Sequence, residues 1–210
     1  MQLKFFGSKM KIPLFPLQTI LYPDGPLLLR IFERRYLDMV SACLNSEKMF
    51  GIILSNQAFG SNEEGFCNLG TLARIVDWTK GSDGILGLTV IGDSKFIIKE
   101  NFKDDNGLNV GTIEMVAKEE KSIVPENYES LVSLLETLID EFEDTYKYIK
   151  KDYQDATWVG NRLAEILPID IKQKQTFLEI SDPIDRLELI NTYLSIAQAM
   201  HKDKNDLMLQ

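Results

Sequence analysis

The hydrophobic pattern of this 210-residue chain changes its period once, near residue 118. Before that point, short apolar runs alternate with proline- and glycine-rich turns. After it, apolar side chains fall at three- and four-residue steps, the period of an amphipathic helix. Strands gathered in one part and helices in the other describe an α+β chain. The sequence therefore divides into a β-rich unit over residues 10–118 and an α-helical unit over 119–202.

The first unit opens with Ile12-Pro-Leu-Phe-Pro-Leu17. Its apolar residues suit a strand, but Pro13 and Pro16 remove ladder donors, so an edge strand or a bulged strand is expected. Tyr22-Pro-Asp-Gly-Pro26 is turn chemistry, and Leu27 to Phe32 is a short apolar strand. Tyr36, Leu37, Val40, Cys43 and Leu44 then predict one inserted helix over residues 33–44. Met49–Leu54, Gly70–Trp78, Ile85–Ile91, Lys95–Lys99 and Val110–Ala117 read as further strands. Residues 55–69 read as loop, and Lys80–Gly84 and Asp104–Gly107 as hairpin turns. Several short strands with one helix suit a small barrel or a strongly bent sheet, which hides strand edges.

In the second unit Tyr128, Leu131, Leu135, Leu138, Phe142, Tyr146, Ile149 and Tyr153 form one stripe. No glycine or proline interrupts residues 126–153. One long helix of about seven turns is expected there, with Pro125 in its first turn. Asp155 can cap a second helix that Pro168 stops. Asp170 with Gln173 has capping-box spacing for a short third helix. Asp182-Pro183 begins the last helix, whose stripe is Leu187, Ile190, Leu194 and Ala197. Residues 202–210 are polar and expected to fray.

Charge follows the same division. Residues 1–118 are neutral, whereas residues 119–210 carry the whole net charge of −9. The acidic half repels phosphate backbones, so no nucleic-acid partner is expected. No apolar run approaches the ~20 residues of a membrane span. Phe5-Phe6 is too short for a signal-peptide core, which makes cytoplasmic residence without a membrane partner the expectation. Cys43 and Cys67, the two cysteines, fit free thiols in that compartment.

Catalytic chemistry has little to work with. His201 is the one histidine and sits near a helix end, where it complements the dipole. Gly60 to Gly65 has phosphate-loop spacing, but Phe66 and Cys67 stand where Lys and Ser/Thr are required. The pairs Glu63-Glu64, Asp104-Asp105 and Glu119-Glu120 read as solvated surface. No catalytic residue, metal or cofactor is expected.

Several stretches, in order, carry a family likeness. They are Ile12–Leu17 with Leu21–Gly25 and Leu27–Leu37; Gly70-Thr-Leu-Ala-Arg-Ile75; Asp83-Gly84; and Gly92-Asp-Ser-Lys-Phe96, where Lys95 replaces an arginine. Trp158-Val159, Arg162 to Pro168, Lys174-Gln175, Leu178-Glu179 and Asp185-Arg-Leu187 continue it. Over about residues 10–200 the chain resembles the N-terminal, substrate-recognition domain of Lon-type ATP-dependent proteases, also found within cereblon-type receptors. The resemblance implies a PUA-like pseudo-β-barrel followed by a helical bundle with one long helix. It also implies a non-catalytic module that recognises unfolded or partly exposed polypeptides. Lon's motor and peptidase domains do not follow within the 210 residues, so a protease or motor acting in trans is an expected partner.

Recognition of this kind needs exposed apolar surface or a free strand edge. Strand 12–17 and the cleft between the two units are the candidate places. Phe15, Tyr22, Phe32, Arg35 and Trp78 are the candidate peptide-binding residues. A PUA-like barrel that binds a small molecule or RNA, or an unrecognised hydrolase, is the alternative. That reading requires a deep pocket with convergent polar groups.

Overall fold

A computed structural model describes the backbone of residues 5–46, 48–60 and 65–208, and the side chains of residues 9–46, 48–60 and 65–199. The His201 side chain, the Glu63-Glu64 pair and the middle of the Gly60–Gly65 stretch lie outside the described residues.

Among the described residues six strands form one sheet: β1 (Phe5–Leu17), β2 (Pro26–Ile31), β3 (Phe50–Ser55), β4 (Phe66–Lys80), β5 (Leu86–Lys103) and β6 (Asn109–Val116). Their order is β2-β5-β4-β3-β1-β6, and β6 returns to pair with β5. Five strands thus close on themselves, which removes their edges, and β2 hangs on the first half of β5. The closure depends on the length of β5. Its residues 86–91 pair with β2, while Phe96–Lys103 pair with β6.

The proline-broken strand is interior to the sheet order, yet each of its halves has essentially one neighbour. Phe5–Leu14 pair antiparallel with β6, with a register shift between Phe6 and Met10, and Leu14–Leu17 pair parallel with β3. Pro13 and Pro16 therefore each lie in a one-sided half, where a missing N–H leaves no second partner unbonded.

The two stretches read as separate strands over 85–91 and 95–99 are one bent strand, β5. At the bend, Gly92 bonds the turn before β2: Asp24 N–H donates to Gly92 O, and Gly92 N–H donates to Gly25 O, each at 2.9 Å. A Cβ on Gly92 would lie 2.0 Å from the Tyr22 carbonyl oxygen, so only glycine admits this approach. Within the turn Asp24 takes a left-handed φ of 57°. β4 begins at Phe66, inside the stretch read as loop, after a short 3-10 turn at Asn56–Phe59.

Helix α1 (Arg34–Ser46) inserts between β2 and β3 and buries Tyr36, Met39, Val40 and Cys43. After the sheet come α2 (Glu129–Glu141), α3 (Glu143–Tyr146), α4 (Ala156–Ile166), α5 (Ile171–Glu179) and α6 (Pro183–Met208). Asp155, Asp170 and Asp182 cap the last three, each accepting from the N–H two residues on, at 3.0, 2.8 and 2.8 Å.

The long helix expected over 126–153 is not continuous. It breaks at Phe142, which is 50% exposed and has φ −113° and ψ 30°. The break turns Tyr146 inward, where its hydroxyl donates to the Glu165 carboxylate. A buried tertiary bond here outweighs helix propensity, which is a weak local preference. The long helix is instead α6, which runs through the expected fray to Met208.

Among the described residues three apolar clusters hold the fold. One fills the barrel with Leu14, Ile53, Leu72, Phe96 and Ile113. A second lies under α1, and the third packs the helices against Ile20, Tyr22, Leu54, Leu69 and Val116 of the sheet. Sheet and helices therefore meet through packed core rather than an open cleft. A shallow hollow of about 260 Å³ remains at their margin, bordered by Arg74, Lys121, Asp152 and Trp158. Among the described residues no helix is long and apolar enough to cross a membrane. Cys43 is buried, Cys67 is half-buried, and neither is bridged.

Candidate functional site

A groove of about 590 Å³ lies at one end of the barrel. Five pieces of chain border it: the exit of β1, the corner from β2 into α1, the turn after β3, the start of β4, and the turn end of the β5–β6 hairpin. The corner is the distinctive part. Ile31 is sealed in the core, but the next residue, Phe32, stands 68% exposed over the groove. An aromatic ring left in water beside a concavity loses the burial that normally stabilises it by a few kcal/mol, which a bound apolar group restores.

Phe15 and Arg35 frame the same groove from below. The Phe15 ring stacks on Tyr36 with centroids 4.0 Å apart. The Arg35 guanidinium lies 4.8 Å from the centre of the Tyr36 ring. Arg35 also donates to the Gly107 carbonyl at 3.0 Å and pairs with Glu33 at 2.7 Å. It thereby ties the start of α1 to the tip of the β5–β6 hairpin, where Gly107 takes a left-handed φ of 74°. Burial raises the Tyr36 hydroxyl above its ordinary pKa, an effect that exceeds the opposing Arg35 charge. The ring is thus a neutral floor.

The rim is amide-rich: Gln18, Gln57, Asn101 and Asn109 surround the aromatic floor. Amide side chains donate and accept, which matches the backbone of an extended peptide whatever its sequence. None of these four was legible as a site residue, nor was Phe66 on the opposite wall. They gather because five pieces of chain meet there, a property of topology rather than of any local motif.

Two of the five candidate residues lie elsewhere. Tyr22 is fully buried, and its hydroxyl donates to the Lys174 carbonyl at 2.7 Å. Burial pushes its pKa far up, so it is a neutral strut between the sheet and α5. Trp78 is 57% exposed but stands near the end of β4, paired opposite Leu88 on the part of β4 that has β5 as its neighbour. The groove takes in Phe15, Phe32 and Arg35, and leaves out Tyr22 and Trp78.

Comparison with known proteins agrees with this architecture. The family model of the ATP-dependent protease La (LON) substrate-binding domain matches residues 11–195. The crystal structure of a Lon N-terminal domain protein from Xanthomonas campestris superposes with a TM-score of 0.73 and 32% identity, covering 88% of this chain and 98% of that one. The N-terminal domain of Lon protease from the Mycobacterium avium complex shares the fold at a TM-score of 0.61 and 14% identity. Lon protease of Bacillus thuringiensis is 26% identical over 200 residues, covering 89% of this chain and 24% of that protein. Lon protease of Buchnera aphidicola from Schizaphis graminum is 24% identical over 199 residues, covering 88% and 25%. The chain thus spans about a quarter of the length of these proteases. With the family model covering almost the whole fold, the chain belongs to the family of Lon substrate-binding domains.

Proposed function

We propose that this protein is a non-catalytic recognition module that holds an exposed apolar stretch of another polypeptide in the groove between β1, the β2–α1 corner and the β5–β6 hairpin. The observation that carries this reading is the exposed Phe32 ring above a floor of Phe15 and Tyr36. Membership of a substrate-binding family supports it. The aromatic groups supply apolar contact, and the amide rim supplies sequence-tolerant backbone bonding. Arg35 holds the corner in shape and offers a cation at the groove wall. Bond cleavage and unfolding then belong to a separate protease or motor that receives the client.

Titration with a reduced, carboxymethylated model protein that cannot refold tests the reading. Phe32→Ala is expected to weaken binding about tenfold, the loss of one aromatic anchor. Unchanged affinity in a folded Phe32→Ala protein contradicts the reading.

A further inference from the structure

The molecule has a second candidate docking surface, on the helical unit, that shares no lining residue with the groove. It is a channel of about 570 Å³ between α5 and α6. Thr176 and Glu179 face it from α5, Ile180 from the cap that ends α5, and Asp185, Glu188, Leu189 and Thr192 from α6. The α6 set has the i, i+3, i+4, i+7 spacing of a single helix face.

The chemistry of the channel is mixed in a specific way. Ile180 and Leu189 supply apolar surface, and Leu189 is 44% exposed. Seven residues further along α6, Ile196 is 54% exposed and extends the strip. Three carboxylates border it. Glu179 accepts a hydrogen bond from Gln175 at 3.0 Å. Among the described residues Asp185 and Glu188 have no ion-pair partner. The cations near this end of α6 are already engaged: Arg186 and Lys95 point inward to Glu119.

Among the described residues of α6, Tyr193 and Leu194 are the last to touch the core, and Ile196 beyond them stands 54% exposed. A helix gains most of its stability from a packed face.

We propose that the α5–α6 channel, continued along α6 to Ile196, docks a cationic amphipathic helix of a partner polypeptide. Its apolar side seats on Ile180, Leu189 and Ile196, and its Lys or Arg side chains meet Glu179, Asp185 and Glu188. Charge selects this occupant over a second copy of the chain. A second copy presents the same acidic face, from a half-chain that carries net charge −9, and like charges across an interface oppose association.

The test is a titration of the intact protein with a leucine–lysine peptide of about five helical turns. Three proteins are compared: wild type, Glu188→Lys/Leu189→Ser, and a control with matched changes, Glu136→Lys/Ile123→Ser, outside the channel. Micromolar binding is expected in wild type, weakened about tenfold or more in the channel variant and less than about threefold in the control. Glu188→Lys alone, at an exposed site, must show part of the loss, which guards against misfolding of the double variant. Equal loss in both double variants would mean that overall charge, not the channel, holds the peptide. Absence of wild-type binding overturns the proposal. So does a wild-type dimer in sedimentation that the channel variant dissolves, because the occupant would then be a second copy. The loss specific to the channel variant does not depend on the groove, because neither Glu188 nor Leu189 lines it.

Discussion

Arg186 holds the Glu119 carboxylate with both terminal nitrogens, Nη2 to Oε1 at 2.6 Å and Nη1 to Oε2 at 2.9 Å. Lys95 reaches the same carboxylate at 2.7 Å. Lys95 comes from β5, Glu119 from the segment after β6, and Arg186 from the first turns of α6. Lys95 also donates to the Leu178 carbonyl, and Arg186 to the Phe177 carbonyl, each at 3.0 Å. Glu119, expected with Glu120 to be solvated surface, is instead a buried carboxylate that with two cations joins the barrel to the end of α5 and the start of α6.

Removing the shared anion should be severe. Glu119→Gln keeps an acceptor but leaves two buried cations without a counter-charge, a change that typically costs about 3–5 kcal/mol. Burial pushes the Glu119 carboxyl up, but the hydrogen bonds and charge of Arg186, followed by Lys95, outweigh it and hold it below its ordinary value. A carboxyl depressed on folding stabilises fully above its unfolded pKa, roughly 4.3. That stabilisation fades as pH falls through the lower folded value. Urea unfolding should therefore show a large gap between wild type and Glu119→Gln at neutral pH, narrowing below about pH 4. A gap independent of pH contradicts the assignment.

The bend of β5 makes a second prediction. A Cβ at Gly92 would meet the backbone oxygen of Tyr22 at 2.0 Å. No flexible side chain can yield there, so the turn before β2 must move. Gly92→Ala should destabilise by about 1–3 kcal/mol or more, the range for overpacked sites. Thermal unfolding measures it, and a wild-type midpoint would show that the turn is not held against the bend.

Two aromatic residues beside the same strands should behave in opposite ways. Tyr22→Phe removes the hydroxyl bonded to Lys174 and should cost about 1 kcal/mol or somewhat more of stability with binding unaltered. Phe32→Ala should leave stability within about 0.5 kcal/mol, as expected for an exposed side chain, and should reduce binding. Paired denaturation and titration experiments separate the two. A Tyr22→Phe protein of full stability but weakened binding would reverse their roles.

These contrasts mark how far the sequence was legible. Local rules placed what local chemistry decides: the aspartate caps, the Lys80–Gly84 and Asp104–Gly107 turns, the helix inserted after β2, and the change from strands to helices. They failed where a distant partner decides. Phe142 continues a helical stripe on paper, yet the helix breaks there, beside a Tyr146 that bonds Glu165 of α4. Tyr22 looks like a surface aromatic in a turn, but the carbonyl it needs lies on α5, far along the chain. Phe15, Phe32 and Arg35, singled out from the sequence as aromatic and guanidinium groups, border the groove. The amides Gln57, Asn101 and Asn109 did not stand out, since only closure of the barrel brings them to one rim.

The most direct measurement of the central claim is site-specific photo-crosslinking. A benzophenone side chain is placed at position 32 in one protein and at position 78 in another, and each is irradiated with the unfolded probe. If the groove is the binding surface, position 32 captures the probe and excess unlabelled probe competes it away, whereas position 78 captures little. Capture at position 78 with none at position 32, both proteins being folded, would contradict the account.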